Sequence, residues 1–122
     1  YSTAFGIYSF TLCGKEISDD RFAPGFTSFE DRLQYQVYDI APFLEEKNEL
    51  VFTVAGGWAV GIFGLNRSNK LGADRLALKA LVQIEYDDGR KDEIKTDESW
   101  LVTGLSETCR FITERYSTQR KP

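Results

Sequence analysis

The residue types that most enzymes use for nucleophilic or metal chemistry are sparse in this chain. No histidine occurs among its 122 residues, which excludes Ser-His-Asp and Cys-His catalysis and every histidine-based metal site. Cys13 and Cys109 are too far apart in sequence to form a zinc-binding motif. Paired carboxylates can catalyse glycoside hydrolysis, but the pair Asp87-Asp88 is explained by a hairpin turn. We therefore expect no complete active site within these residues.

The acidic pair Asp19-Asp20 is the part of the chain whose residue types suit a metal ion. Calcium prefers oxygen ligands from carboxylates and backbone carbonyls, and Asp74 together with loop carbonyls could complete such a set. No EF-hand-like spacing supports the site, and a solvated acidic loop explains the same residues. Calcium is the one cofactor that the sequence suggests.

A tryptophan set among four glycines, between Ala55 and Leu65, is the most distinctive local pattern. The segment lacks the Gly-Lys-Ser/Thr ending of a phosphate-binding loop. An aromatic ring on such a backbone either plugs the core or stacks on a ligand, and the apolar face of a sugar is one ligand of that kind. Core packing is the favoured interpretation for each single aromatic residue. Candidates for sugar contact are Trp58, Tyr35, Phe63 and Phe26, with Asp74 and Arg75 as polar partners.

The bulk composition excludes several classes of protein. Hydrophobic residues at 42% and aromatic residues at 14% are typical of a globular domain. The net charge of −4 argues against nucleic acid as a partner, because phosphate neutralisation needs a basic face. No apolar stretch approaches the roughly 18 residues that span a bilayer, so we expect no membrane partner. The compartment is left open.

Seven runs of alternating or β-branched residues predict the elements that must position these side chains. The run from 75 to 86 is apolar at every second position but also fits a helical period. We predict that this run is a strand, because Asp88-Gly89 is a favoured hairpin turn and another extended run follows it. About eight short strands, counting a brief arm at 16–18, predict an all-β antiparallel sandwich. The seven runs are 6–13, 33–40, 49–55, 75–86, 91–96, 100–102 and 110–116.

The length predicts one domain, which we place at residues 1–118, with 119–122 as the start of a linker. The chain contains no methionine and begins within a patterned segment, so we interpret it as a fragment of a longer multidomain enzyme. Cys13 and Cys109 are expected to be two separate thiols. A disulfide between them, which would contribute about 4 to 5 kcal/mol, is the alternative.

Taken together, several motifs resemble the N-terminal β-sandwich domain of bacterial α-L-rhamnosidases. The resemblance covers roughly residues 6–102, and the order and spacing of the motifs make it more specific than any one of them. The motifs are Ala23-Pro24-Gly25-Phe26-Thr27, the run from Arg32 to Ile40, Asn48-Glu49-Leu50, Gly57-Trp58 with Gly61, the run from Gly72 to Leu78, the hairpin Tyr86-Asp87-Asp88-Gly89, and the run from Thr96 to Trp100.

The resemblance implies a jelly-roll-like domain that precedes a separate helical barrel. In that family the barrel carries the carboxylates that remove terminal L-rhamnose, and some related domains bind rhamnose through calcium. Ala59 follows Trp58 where the family usually has a larger residue, so we expect Trp58 to be mainly a packed anchor of its loop.

Three functional hypotheses follow from the resemblance and from the residues, with Trp58 and the pair Asp19-Asp20 motivating the second. The first is a non-catalytic domain that supports the catalytic barrel of a rhamnosidase-like glycoside hydrolase and contacts its rhamnose-containing glycan. The second is an independent rhamnose-binding module that uses calcium. The third is an interaction domain without a ligand.

Overall fold

A computed structural model of the chain describes residues 1–60, 62–63, 68–69, 75–105 and 108–116. Nearly all of its regular structure is β. Helical structure in the described residues is limited to a 3-10 turn at Ala41–Phe43 and the helix α1 (Gly57–Val60). No helix there is long enough to cross a membrane. The strands are β1 (Ser2–Phe5), β2 (Ile7–Leu12), β3 (Lys15–Glu16), β4 (Lys47–Ala55), β5 (Ile62–Phe63), β6 (Ser68–Asn69), β7 (Ala77–Glu85), β8 (Lys91–Lys95), β9 (Leu101–Leu105) and β10 (Thr108–Tyr116).

The larger strands form two antiparallel sheets. One sheet has five strands in the order β3-β2-β4-β10-β9, and the other has three in the order β1-β7-β8. Strands β5 and β6 form a separate two-residue ladder. The hairpin predicted at Asp88-Gly89 joins β7 to β8, whose register pairs Glu85 with Lys91. The predicted all-β antiparallel sandwich is confirmed, whereas its jelly-roll connectivity stays a prediction.

The core lies between the two sheets and follows from alternation along the strands. In β2, Tyr8, Phe10 and Leu12 are buried while the residues between them are partly or fully exposed. Because successive side chains of a strand point to opposite sides, this pattern gives the sheet one apolar face. Ala4 of β1 and Ala80 of β7 meet that face from the second sheet. The contiguous cluster of buried residues is Ala4, Tyr8, Phe10, Leu12, Ala23, Leu50, Phe52, Val54, Ala80 and Trp100.

Strand β4 organises the larger sheet, because it pairs with β2 on one side and β10 on the other. Phe52 lies opposite Phe10 of β2 and also opposite Phe111 of β10. The ring of Phe52 packs on Phe10 at 5.1 Å and on Trp100 at 6.0 Å between centroids. The β-branched and aromatic run of β4 suits a strand that has neighbours on both edges.

The prediction of a strand over residues 33–40 is wrong. Only Gln36 pairs there, through an isolated bridge to Ser2, while Tyr35 and Val37 are 63% and 59% exposed. The segment runs along the outer edge of β1, which is four residues long and already pairs with β7. Its backbone hydrogen bonds to β1 are limited to the pair Ser2 and Gln36, although the sequence alternates as a strand would.

Two other differences concern strand number and bounds. The described residues form ten strands where about eight were predicted, and β1, which the sequence did not reveal, is one of them. Its inward residues Ser2 and Ala4 are small, so the alternation in hydropathy is weak. Strand β9 spans Leu101–Leu105, so it begins one residue later and ends three residues later than the predicted run 100–102. Trp100, just before it, is a buried core residue.

Candidate functional site

Trp58 lies in α1, which turns the chain directly after β4 and brings the indole against the loop that follows β3. Gly57 makes this approach possible: it has φ +58°, and a Cβ there would lie 2.5 Å from Cγ2 of Ile7. Glycine alone among the residues adopts such a conformation without steric penalty. Trp58 is half-buried and its neighbour Ala59 is 2% exposed. The start of the helix therefore packs against Ile7 of β2.

Trp58 belongs to an aromatic cluster that we define as Phe22, Phe26, Phe29 and Trp58. The Trp58 ring lies 5.7 Å from Phe22 and 6.3 Å from Phe26, the latter edge-to-face. Phe26 also meets Phe29 edge-to-face at 5.7 Å. These separations are within the range of favourable aromatic pairs. Phe22 is 61% and Phe26 57% exposed, so the half-buried indole packs against two rings that face solvent.

Sequence reasoning missed two members of the cluster, Phe29 and Phe22, and the backbone conformation of Phe22 is unusual. Its φ is +58°, a left-handed conformation that is rare for a bulky residue. The neighbouring turn is closed by a 2.9 Å hydrogen bond from the Gly25 N–H to the Phe22 carbonyl, and it contains a cis peptide between Ala23 and Pro24. The signal available in the sequence was an aromatic residue beside a Pro-Gly turn in an otherwise polar loop.

A depression of about 250 Å³ opens beside Phe22, and we call it the Phe22 depression. Its wall is tied to the sandwich, because the Tyr8 N–H donates to the Ala23 carbonyl over 2.8 Å. The Gln36 amide donates to the Pro24 carbonyl over 3.2 Å. It is lined by Asp20, Arg21, Phe22, Ala23, Pro24, Gly25 and Gln36.

Asp20 and Arg21 bring opposite formal charges to the Phe22 depression. The hydroxyl of Tyr38 donates to Oδ2 of Asp20 over 2.7 Å. Burial, and then this hydrogen bond to Asp20, hold the pKa of Tyr38 well above its usual value of 10.0. The phenol therefore stays protonated near neutral pH and orients the carboxylate.

A buried polar network lies beneath the depression and supports Gln36. The Tyr8 hydroxyl donates to Oε1 of Gln36 over 2.7 Å, and Oγ of Ser2 lies 2.7 Å from the same hydroxyl. Burial raises the pKa of Tyr8. In the described part of the chain, every buried side-chain nitrogen and oxygen has a hydrogen-bond partner. The network satisfies its own polar groups and leaves none pointing at a ligand.

Of the residues predicted to contact sugar, the described part of the structure brings only Trp58 and Phe26 together. Trp58 joins the aromatic cluster with Phe26, but Tyr35 lies instead beside Tyr1, with 6.2 Å between ring centroids. Phe63 is in β5, and its side chain lies outside the described residues, as does all of Asp74. Arg75 is exposed, two residues before β7.

The calcium prediction on Asp19 and Asp20 stays a prediction. Both residues are exposed, and Asp20 already accepts from Tyr38. Among the residues that the structure describes, no three His, Cys, Asp or Glu side chains lie close enough to hold a metal ion. Backbone carbonyls and waters would have to supply most of the coordination shell.

The two cysteines are separate thiols that are not joined in a disulfide, as expected. Cys13 follows β2 and its Sγ lies 3.4 Å from the Lys47 carbonyl. Cys109 pairs with Val54, at the opposite end of β4 from Lys47. The alternative of a disulfide between the first and last large strands is therefore wrong.

Comparison with known proteins gives one consistent family. The family model of the alpha-L-rhamnosidase N-terminal domain matches residues 1–121. An alpha-L-rhamnosidase from Streptomyces avermitilis is 37% identical over 101 residues, which are 82% of this chain and 10% of that protein. One from Formosa agariphila is 29% identical over 104 residues, or 84% of this chain and 11% of that protein. The chain thus spans about a tenth of the length of the curated relatives it matches.

A solved structure agrees with the sequence comparisons. The crystal structure of a Streptomyces avermitilis alpha-L-rhamnosidase complexed with L-rhamnose superposes with a TM-score of 0.73 at 35% identity. The match covers 79% of this chain and 9% of that one. The sandwich described above thus also occurs within that much longer protein.

Proposed function

Because this chain belongs to the family of α-L-rhamnosidase N-terminal domains, we propose that it is a non-catalytic accessory domain of a larger α-L-rhamnosidase. The observation that carries the proposal is the disparity in coverage: the family match takes in residues 1–121, yet the aligned region is 10% of the Streptomyces avermitilis relative. A match that covers most of this chain but a tenth of its relative is expected when the chain corresponds to one domain of a multidomain hydrolase.

The residue inventory supports a non-catalytic role. The sequence has no histidine, which excludes Ser-His-Asp and Cys-His catalysis. Glycoside hydrolysis needs two carboxyl groups about 5 to 10 Å apart across one sugar ring. The resemblance assigns that pair to a helical barrel elsewhere in the enzyme. This domain supports the barrel and contacts the rhamnose-containing glycan.

Deletion of residues 1–121 from the longer enzyme tests this role. The shortened enzyme is expected to unfold at a lower temperature, while its kcat on an aryl α-L-rhamnoside stays within about threefold of the full enzyme, since only supporting contacts are lost. A shortened enzyme that keeps its fold but loses turnover altogether would show that the domain supplies catalytic groups.

An independent rhamnose-binding module is the second candidate, and the solvent-facing aromatic cluster favours it. Exposed aromatic rings beside a few polar groups are the general form of a small-ligand site. Calorimetric titration of the chain with L-rhamnose, in calcium and in chelator, tests both parts of this candidate. Heat that appears only with calcium supports a calcium-dependent module, and heat in both conditions supports binding without the metal.

A further inference from the structure

We propose that β9 accepts a further β-strand from another part of the same polypeptide, so that the five-stranded sheet continues into the longer enzyme. The incoming strand is uncharged and carries apolar side chains on both of its sides. The proposal rests on the proposed function, in which this chain is one domain of a larger α-L-rhamnosidase.

Strand β9 is an open edge of the larger sheet. Among the described strands it pairs with β10 alone, and no hydrogen bond joins its other edge to any residue that the structure describes. In an antiparallel sheet, alternate residues of a strand direct their N–H and C=O groups to either side. The outer edge of β9 therefore presents unpaired backbone donors and acceptors, which are a template for another strand.

The other sheet edges are protected against such pairing. Strand β8 reads Lys-Asp-Glu-Ile-Lys, so four of its five side chains are charged. Strand β3 has two residues, both charged, and Lys15 forms an ion pair with Glu45. The edge of β1 is bridged by Gln36, whose backbone exchanges two 2.9 Å hydrogen bonds with Ser2. Charge, shortness and coverage keep natural edges from pairing, and β9, which reads Leu-Val-Thr-Gly-Leu, has none of these protections in the described structure.

Two rows of apolar side chains cross the larger sheet and end at β9. The row on the core side is Phe52, Phe111 and Val102. The row on the outer side is Val51, Ile112 and Leu101. Exposure rises from 4% at Phe52 to 56% at Val102, and from 8% at Val51 to 67% at Leu101. A strand placed beside β9 would cover the ends of both rows, which is why apolar residues are expected on both of its sides.

The length of the relatives favours a strand of the same polypeptide as the occupant. The aligned region is 10% of the Streptomyces avermitilis relative, so most of such an enzyme lies outside this domain. A strand linked to the domain by the chain has an effective concentration of about millimolar. A second copy of the domain is present only at the concentration of the enzyme. Strand addition at an exposed edge uses main-chain hydrogen bonds, and covalent linkage favours the strand of the same molecule.

Backbone hydrogen exchange, measured by mass spectrometry on the 122-residue chain and on the longer enzyme, tests the proposal. A peptide that covers residues 101–105 is expected to exchange roughly tenfold more slowly in the longer enzyme, because its outward amides gain acceptors. A peptide that covers β8 should exchange equally in both proteins, since that edge is charged.

Val102→Lys in the longer enzyme should restore fast exchange at residues 101–105, because a charge at the edge opposes strand pairing. In the 122-residue chain the same substitution should leave the urea midpoint nearly unchanged, since Val102 is 56% exposed. Val37→Lys is the matched control. It places the same charge on a 59% exposed valine outside β9, and it should leave the protection of β9 in the longer enzyme unchanged.

Equal exchange of residues 101–105 in the two proteins would overturn the proposal, as would protection that persists in the Val102→Lys enzyme. A dimer of the 122-residue chain that Val102→Lys dissociates, seen by sedimentation, would assign the edge to a second copy instead. Deletion of residues 1–121 reads the accessory role separately. Retained turnover after the deletion, together with an unprotected β9, would refute the edge pairing and leave the accessory role standing.

Discussion

At the scale of single residues, the hydroxyl of Tyr8 connects the core of the sandwich to the loop that carries the candidate site. Tyr8 is 4% exposed, and its hydroxyl contacts the side chains of Ser2 and Gln36. Gln36 in turn donates to the carbonyl of Pro24 in the wall of the Phe22 depression. A change in the core at Tyr8 is therefore transmitted to the site through one amide side chain.

Tyr8→Phe is expected to lower the free energy of unfolding by about 1–3 kcal/mol, because buried acceptors lose their donor. Urea denaturation measures the difference. Tyr35→Phe is the matched control, since Tyr35 is 63% exposed, and it should change stability by less than about 0.5 kcal/mol. Equal effects of the two substitutions would mean that the network contributes nothing to stability.

The raised pKa values of Tyr8 and Tyr38 make stability sensitive to alkaline pH. Burial is the first cause in both tyrosines, and the hydrogen bond to Asp20 adds to it in Tyr38. A group whose pKa is higher in the folded state than in the unfolded chain stabilises the fold below its unfolded pKa. That contribution is lost as the pH rises past 10.0, the ordinary value for the phenol. The free energy of unfolding is therefore expected to fall above pH 10.0.

Tyr38→Phe isolates the part due to Tyr38, since the variant has no phenol to ionise. Denaturation at a series of pH values from about 8 to 11 should give a shallower alkaline decline for the variant than for the wild type. Identical slopes would mean that Tyr38 ionises equally easily in the folded and unfolded chains.

At the scale of elements, the turn from β4 into α1 determines where Trp58 lies. Gly57 is required there twice over, by its positive φ and by its close approach to Ile7 of β2. Gly14, which follows β2, shares the positive φ, but a Cβ added there would meet no atom within 4 Å. Substitution of Gly14 thus tests the cost of the left-handed backbone alone, whereas substitution of Gly57 adds the cost of a steric clash.

Gly57→Ala is expected to destabilise the domain by roughly 1–3 kcal/mol more than Gly14→Ala, since only the first substitution forces atoms together. Both substitutions carry the similar conformational penalty of a left-handed alanine. Thermal or urea unfolding of the two variants measures the difference. Equal destabilisation would place α1 farther from β2 than the structure has it.

Elements whose hydropathy alternates and whose partners flank them on both sides were predictable from the sequence. The runs at 6–13, 49–55 and 75–86 correspond to β2, β4 and β7. The absence of a strand at 33–40 was not predictable. Alternating hydropathy indicates an extended chain with one buried side, but it does not show whether the backbone hydrogen-bonds to a neighbouring strand. β1 was missed for the opposite reason, since its buried residues are small.

The candidate site was predictable only in part. Trp58 and Phe26 were named from residue type and glycine context, and they do lie together. Phe22, Arg21 and Gln36 were not named as candidates, because their proximity depends on a turn and on a bridge between distant segments. No local sequence pattern encodes such a juxtaposition.

At the scale of the whole molecule, an all-β sandwich carries an aromatic cluster on one loop region. This combination suits a domain that positions or supports other parts of an α-L-rhamnosidase.

The most direct test is an assay of the purified 122-residue chain on an aryl α-L-rhamnoside, with a full-length α-L-rhamnosidase as the positive control. The account predicts no release of the aryl alcohol above the buffer rate while the chain is folded. Saturable hydrolysis by the chain that disappears in Asp20→Asn, with the fold preserved, would contradict it.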